Sequence, residues 1–228
     1  MEKLFQTSDK KYLQKTTWIA ACFIFMLVIT ACSLSGRQEN KIDPPLKYPD
    51  DNEIKTLILQ NSFTQHTTAT ENDIKVLKIK EFQKELLVLV LFTQEENYGL
   101  TLFEIGTVDD GYKITSGTEG EYSISMGFSA NMVICDNTSI VFGDLRSDTW
   151  VPETDTRKKT GYTNIKVILD DGKTVSEDVS GDAGYIIILG SNKEIDNMNF
   201  YNERGETVNI LSDIGGIHKV KNTVYPNI

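Results

Sequence analysis

Ser129, in Gly127-Phe128-Ser129-Ala130-Asn131, comes closest in this 228-residue chain to the setting of a hydrolase nucleophile. A nucleophile elbow needs a final glycine and a strand-to-helix turn to expose the hydroxyl. Asn131 stands where that glycine should be and the strand-to-helix context is missing, so Gly127 and Asn131 read more simply as turn residues between two strands. A histidine base would have to be His66 or His218, which lie far apart in polar surroundings. Neither belongs to a cluster with zinc spacing, and no Asp-rich loop matches the calcium-hand pattern. Glycine loops of the P-loop or dinucleotide kind are also missing, so no metal or other cofactor is expected. Asp170-Asp171-Gly172 could brush a cation, but a hairpin turn accounts for it. Carboxylates are abundant, which leaves open a glycosidase-like pair facing a cleft.

The three cysteines have different prospects. Cys135 follows Met132, Val133 and Ile134, so it is expected in a core strand rather than in the electropositive, partly exposed setting a reactive thiol needs. Cys22 and Cys32 lie near the N-terminus. There a leader carrying Lys3, Lys10, Lys11 and Lys15 precedes an apolar stretch from Trp18 to Ile29, closed by Thr30-Ala31-Cys32. Basic residues hold the start of such a segment in the cytoplasm while the apolar part enters the membrane. A spanning helix needs about 20 apolar residues. This stretch is shorter, and Ser33, Ser35, Gly36 and Arg37 end it abruptly.

Ile29-Thr30-Ala31-Cys32 resembles the lipobox of bacterial lipoproteins. The resemblance implies diacylglycerol on the Cys32 thiol and cleavage between Ala31 and Cys32. It further implies residence at the cell membrane, lipid-anchored on the extracytoplasmic face. Ile19-Ala20-Ala21-Cys22 has the same pattern but lacks an apolar segment before it, so Cys32 is the assigned site. Two acyl chains hold a protein firmly where one holds it only marginally. The mature domain, through its Asp-Gly hairpins and the Gly-Tyr-Ile-Ile-Ile strand, resembles uncharacterised surface lipoproteins of Gram-positive bacteria, a class with no assigned activity to transfer.

Removing residues 1–31 takes four lysines and two acids from totals of 23 basic and 33 acidic residues, leaving 19 against 31 and a net charge of −12. Such a balance disfavours nucleic acid, which is bound by neutralising phosphates. Cys135 would be the one unmodified cysteine left, so no disulfide framework forms within the chain.

These features need a scaffold, and the pattern predicts a mainly β fold. Antiparallel sheets are expected, sandwich-like or as two small β modules, with one short N-terminal helix after a disordered tether. Residues 1–31 are the signal peptide and 32–49 the lipidated tether, with Pro44, Pro45 and Pro49. Its seventeen residues beyond Cys32 reach about 55–60 Å when stretched. A module over 50–145 begins with a helix capped by Asp50 or Asp51, with Ile54, Leu57 and Ile58 on one face. Leu86 to Phe92 and Tyr185 to Leu189 are apolar runs of a kind buried on both faces. Hairpins are expected at Gly111, Gly172 and Gly205, where the turn must accept positive φ. A long loop or linker at 146–162 precedes a hairpin module at 163–228.

That loop is too long to be ordinary in a compact domain. Arg146, Trp150 and Tyr162 fall in it and are of types common at binding hot spots. They are the expected contact for a partner, either an envelope protein or a cell-wall component. The leading expectation is therefore a non-catalytic envelope lipoprotein. A surface hydrolase acting on wall glycan or peptide through carboxylates, or a solute-binding lipoprotein, are the alternatives.

Overall fold

Leu86, Leu87, Val88, Leu89 and Val90 are all fully buried, as a strand covered on both faces requires. They belong to a computed structural model describing residues 48–61, 69–94, 97–109, 111–122, 127–146, 148–151, 156–159, 161–210 and 216–224. The expected signal peptide, most of the tether, and Ala31 and Cys32 with them, lie outside the described residues.

The helix α1, Asp51–Gln60, starts and ends where the pattern places it. The Asp50 carboxylate accepts from the amides of Asn52 (2.9 Å) and Glu53 (2.8 Å), while Glu53 accepts from the Asp50 amide at 2.9 Å. This reciprocal cap satisfies amides that the first helical turn leaves without partners. Ile54 and Ile58 are buried, and Asn61 closes the helix.

The other described residues are mainly strand. One sheet runs in the order β1 (Ile74–Phe82), β2 (Glu85–Gln94), β3 (Asn97–Val108), β4 (Gly111–Gly120), β15 (Thr223–Val224). A second runs β11 (Gly184–Ser191), β6 (Thr138–Asp144), β5 (Asn131–Cys135), β14 (His218–Lys219). A third runs β10 (Thr174–Asp178), β9 (Tyr162–Leu169), β12 (Ile195–Asn202), β13 (Thr207–Asn209). The pairings are antiparallel except β14 with β5, which is parallel. β7 (Asp148–Val151) and β8 (Thr156–Lys159) form a separate hairpin.

The second sheet lies between the other two, as side-chain alternation shows. Ile140, Phe142, Ile186 and Val133 pack with Leu87, Leu89, Leu100 and Leu102 of the first sheet. Val141, Tyr185, Ile187 and Met132 pack with Ile165, Val167, Met198 and Phe200 of the third. Both faces of β6 and β11 are thus dry. Tyr185 to Leu189 reads in sequence as a central strand, but β11 is an edge strand within its own sheet, and its apolar run is explained by the layers packed on both its faces. Lys80 of β1 reaches that edge, its Nζ donating to the Ile186 carbonyl (2.9 Å) and to Glu177 Oε1 of β10 (2.8 Å). Charged lysines are a common guard against edge-to-edge pairing.

The predicted turns hold at Gly111, Gly172 and Gly205, with φ of 154°, 78° and 73°. The segments 50–145 and 163–228 share their sheets. β11, β14 and β15, all from the segment 163–228, complete sheets begun by the segment 50–145, and Lys47–Ile228 is one compact unit. A strand needs a neighbour for its backbone groups, and here the neighbours are distant in sequence. The expected loop 146–162 contains the β7–β8 hairpin and the start of β9.

Phe142 is fully buried between the first and second sheets. Phe142→Ala should lower the unfolding free energy by about 3–5 kcal/mol, read as a lower urea midpoint with an unchanged slope.

Candidate binding site

The middle sheet's polar residues gather at its strand ends, and there a site is built. β6 finishes at Asp144, whose side chain is 2 % exposed. The Ser129 hydroxyl donates to Asp144 Oδ1 and accepts from the Asp144 amide at 3.1 Å. Tyr185, fully buried, donates from its phenol to the Ser129 carbonyl at 2.8 Å. A Cβ at Gly143 would lie 2.0 Å from that carbonyl oxygen, so only glycine lets the Ser129 backbone approach so closely. Ser129 and Asp144 therefore form a fixed joint between β6 and the segment before β5.

Arg146 projects from this joint. Its Nε lies 3.1 Å from Asp144 Oδ2, and its guanidinium carbon sits 4.7 Å from the centre of the Tyr122 ring. Tyr122 stacks on Tyr98, with ring centres 5.1 Å apart and planes 17° from parallel. Tyr98 is 45 % exposed. Behind the rings, the fully buried Asn131 accepts from the Glu121 amide (2.7 Å) and donates to the Glu121 carbonyl (3.1 Å). That bidentate grip fixes the backbone next to Tyr122. The result is a column of one guanidinium and two rings, backed by a buried carboxylate.

Burial pushes the Asp144 carboxyl above its usual range, against the hydrogen bond from Ser129 and the charge of Arg146. Burial raises the Tyr185 phenol well above its ordinary value, and the Asp144 charge adds to it.

Another sequence candidate falls elsewhere. Tyr162 is turned into the core, edge-on to Phe128 and Phe200 with ring centres 5.5 and 5.4 Å away, and burial pushes its phenol up to about 12. Trp150 lies in β7, with its backbone opposite Arg157. Of the three residues expected to share a contact, Arg146 belongs to the column and Tyr162 to the aromatic core behind it. Ser129 and His218 serve different partners, His218 Nδ1 lying 3.4 Å from Glu121 Oε1. Cys135 is buried and burial raises its thiol, as a core strand predicts. The sequence reading missed Tyr98, Tyr122 and Asp144, because strand pairing alone brings them together.

Asp171 finds its cations within the chain. Its carboxylate accepts from Lys193 Nζ at 2.7 Å and from the Lys173 amide at 3.1 Å. Led by the Lys193 bond, these hold its pKa at about 2. Among the described residues, no group of three or more His, Cys, Asp or Glu is placed to hold a metal ion. No described helix is long and apolar enough to cross a membrane. Across Met132, Ile134, Lys193 and Lys219 lies an open cleft of about 210 Å³. Comparison with protein-family models, curated proteins and solved structures finds no match in any of the three.

The two aspartates should respond to acid in opposite senses. Asp171 has a folded pKa of about 2 against the usual 3.8, so its stabilisation is present above about pH 4 and is lost as pH falls toward 2. The stability gap between wild type and Asp171→Asn should close over that window. Asp144 is raised above 3.8, so the folded state takes up its proton first and wild type should gain on Asp144→Asn as pH falls through the folded pKa. Urea unfolding across pH 2 to 7 reads both. A gap between wild type and Asp171→Asn that stays constant down to pH 2 would refute the first assignment.

Proposed function

We propose that this chain is an exported prolipoprotein, cut between Ala31 and Cys32 and held to the extracytoplasmic face of the membrane by diacylglycerol on Cys32. Its β body then serves as a non-catalytic binding module of the cell envelope. For the anchor, the support is the Ile29-Thr30-Ala31-Cys32 pattern after an apolar stretch too short to span. For the binding role, the support is the Arg146–Tyr122–Tyr98 column. It is held rigid from behind by Asp144 and Asn131, and it ends in an exposed aromatic ring. Interfaces favour such residues because an aromatic ring or a fixed guanidinium loses little conformational freedom when it binds.

A second reading rests on Glu85. Burial raises its carboxyl, the Thr115 hydrogen bond opposes this, and the charges of Glu104 and Asp136 raise it further. Thr115 ties the two glutamates together, its hydroxyl lying 3.2 Å from Glu85 Oε2 and 3.1 Å from the Glu104 carbonyl. A carboxyl raised above its usual range near the charge of a second carboxylate is one element of the pairing a glycosidase uses. Incubation of the purified chain with cell wall decides the matter. Fragments released by wild type but not by Glu85→Gln would replace the binding role with a hydrolytic one.

Growth with labelled palmitate tests the anchor. Wild type should take up label and lose residues 1–31, while Cys32→Ala should take up none and keep the leader. Equal labelling of the two would overturn the assignment of Cys32.

A further inference from the structure

We propose that the outer face of Tyr98 is a seat for a cationic side chain, an arginine or lysine presented by a partner polypeptide. The inference rests on the binding role above and names the chemistry of its ligand. Tyr122 occupies one face of Tyr98, with the planes only 17° from parallel. Tyr98 is nonetheless 45 % exposed, so the surface it offers to solvent is its other face and its edge.

An aromatic face carries partial negative charge and attracts a cation placed over it. The column already contains one such pairing, with Arg146 at 4.7 Å from the Tyr122 centre. Tyr98 presents the same kind of surface, and among the described residues no cation stacks on it. The ring is also preorganised, because Tyr122 beneath it is fixed through Asn131 and Glu121. Less freedom is then lost when a ligand settles on it.

Charge selects among ligands. The body after residue 31 carries 19 basic against 31 acidic residues, a field that draws cations and repels anions before contact. Arg146 does not reverse this preference locally, since Asp144 lies against it at 3.1 Å. A cationic peptide therefore meets attraction at long range and an electron-rich face on arrival. An anionic polymer meets neither. A neutral glycan would gain from the ring face but nothing from the field.

Calorimetric titration of the full chain, purified in neutral detergent, separates these cases. The probes are an acetylated tetra-arginine amide and an N-acetylglucosamine tetramer. Tetra-arginine should bind wild type and Tyr98→Phe alike, because phenylalanine keeps the aromatic face. Tyr98→Leu should bind it about three- to tenfold more weakly. None of these substitutions alters net charge, so non-specific attraction cancels from the comparison. Equal urea midpoints for the three proteins establish that the exposed position leaves folding untouched. If Tyr98→Leu binds tetra-arginine as wild type does while the glycan tetramer depends on Tyr98, the cationic ligand is wrong and the binding module stands. Independence of both probes from Tyr98 would remove the site altogether.

Discussion

A strand covered on both faces has no solvent side on which to place a polar group, and β6 and β11 of the middle sheet are such strands, while β5 beside them leaves Ile134 exposed. Ile140, Phe142 and Ile186 are packed toward one neighbour, Val141, Tyr185 and Ile187 toward the other. A polar side chain buried there without a partner costs free energy comparable to a lost hydrogen bond or more. Several of the sheet's buried polar residues accordingly find internal partners. Asn131 holds the Glu121 backbone, and Ser139 donates to the Lys193 carbonyl at 2.7 Å. Asp144 is held by Ser129 and faced by Arg146. These bonds reach out of the sheet into the connecting segments. The need to satisfy the middle layer is what fixes the segments that carry the column.

The same constraint shapes the edges. Dry faces make β11 a strong β-former, and as an edge strand it would offer its backbone to any other chain. Lys80 blocks this by donating to Ile186, while Lys78 is paired with Asp182. Such partly exposed ion pairs contribute little stability. Their value lies in occupying the edge. On the opposite side β14 and β15 pair with β5 and β4, so the C-terminal segment binds the first sheet to the second. Gly184 allows the close approach on the β1 side, where a Cβ would lie 2.8 Å from Leu77.

Much of this architecture was legible in the residue order, and the gaps have physical causes. Helix α1 showed through its cap and the spacing of Ile54 and Ile58, and the runs Leu86 to Val90 and Tyr185 to Leu189 through unbroken hydrophobicity. Turns marked by Gly111, Gly172 and Gly205 showed through the need for positive φ. The β5–β6 turn was hidden because Asp136 and Asn137 take φ of 43° and 64° without glycine, so β6, a strand of the middle layer, went unseen. Likewise β1 turns into β2 through Gln83 at φ 56°. β14 and β15 are two residues each, too short for any period to register. The choice between one sandwich and two modules was not legible, because local pattern does not report which distant strand completes a sheet. Of the column itself, Arg146 alone was singled out in the sequence, its type suggesting contact. Tyr98 and Tyr122 are joined to it only by tertiary pairing.

Arg146 couples the site to the fold in a way that constrains both. A buried ion pair contributes little net stability, yet removing one member strands the other at considerable cost. Asp144 is such a member, so the guanidinium is needed whatever binds outside. Once held for that reason, it polarises Tyr122 and orders the ring beneath Tyr98 without further conformational cost. On the proposed binding role, the column grades from structural to functional along its length. Change at its inner end would then be felt as instability, and at Tyr98 as altered affinity. Specificity can then vary at the exposed ring while the joint of Ser129, Asp144, Gly143 and Tyr185 stays intact, because the outer ring carries no charge on which the interior depends.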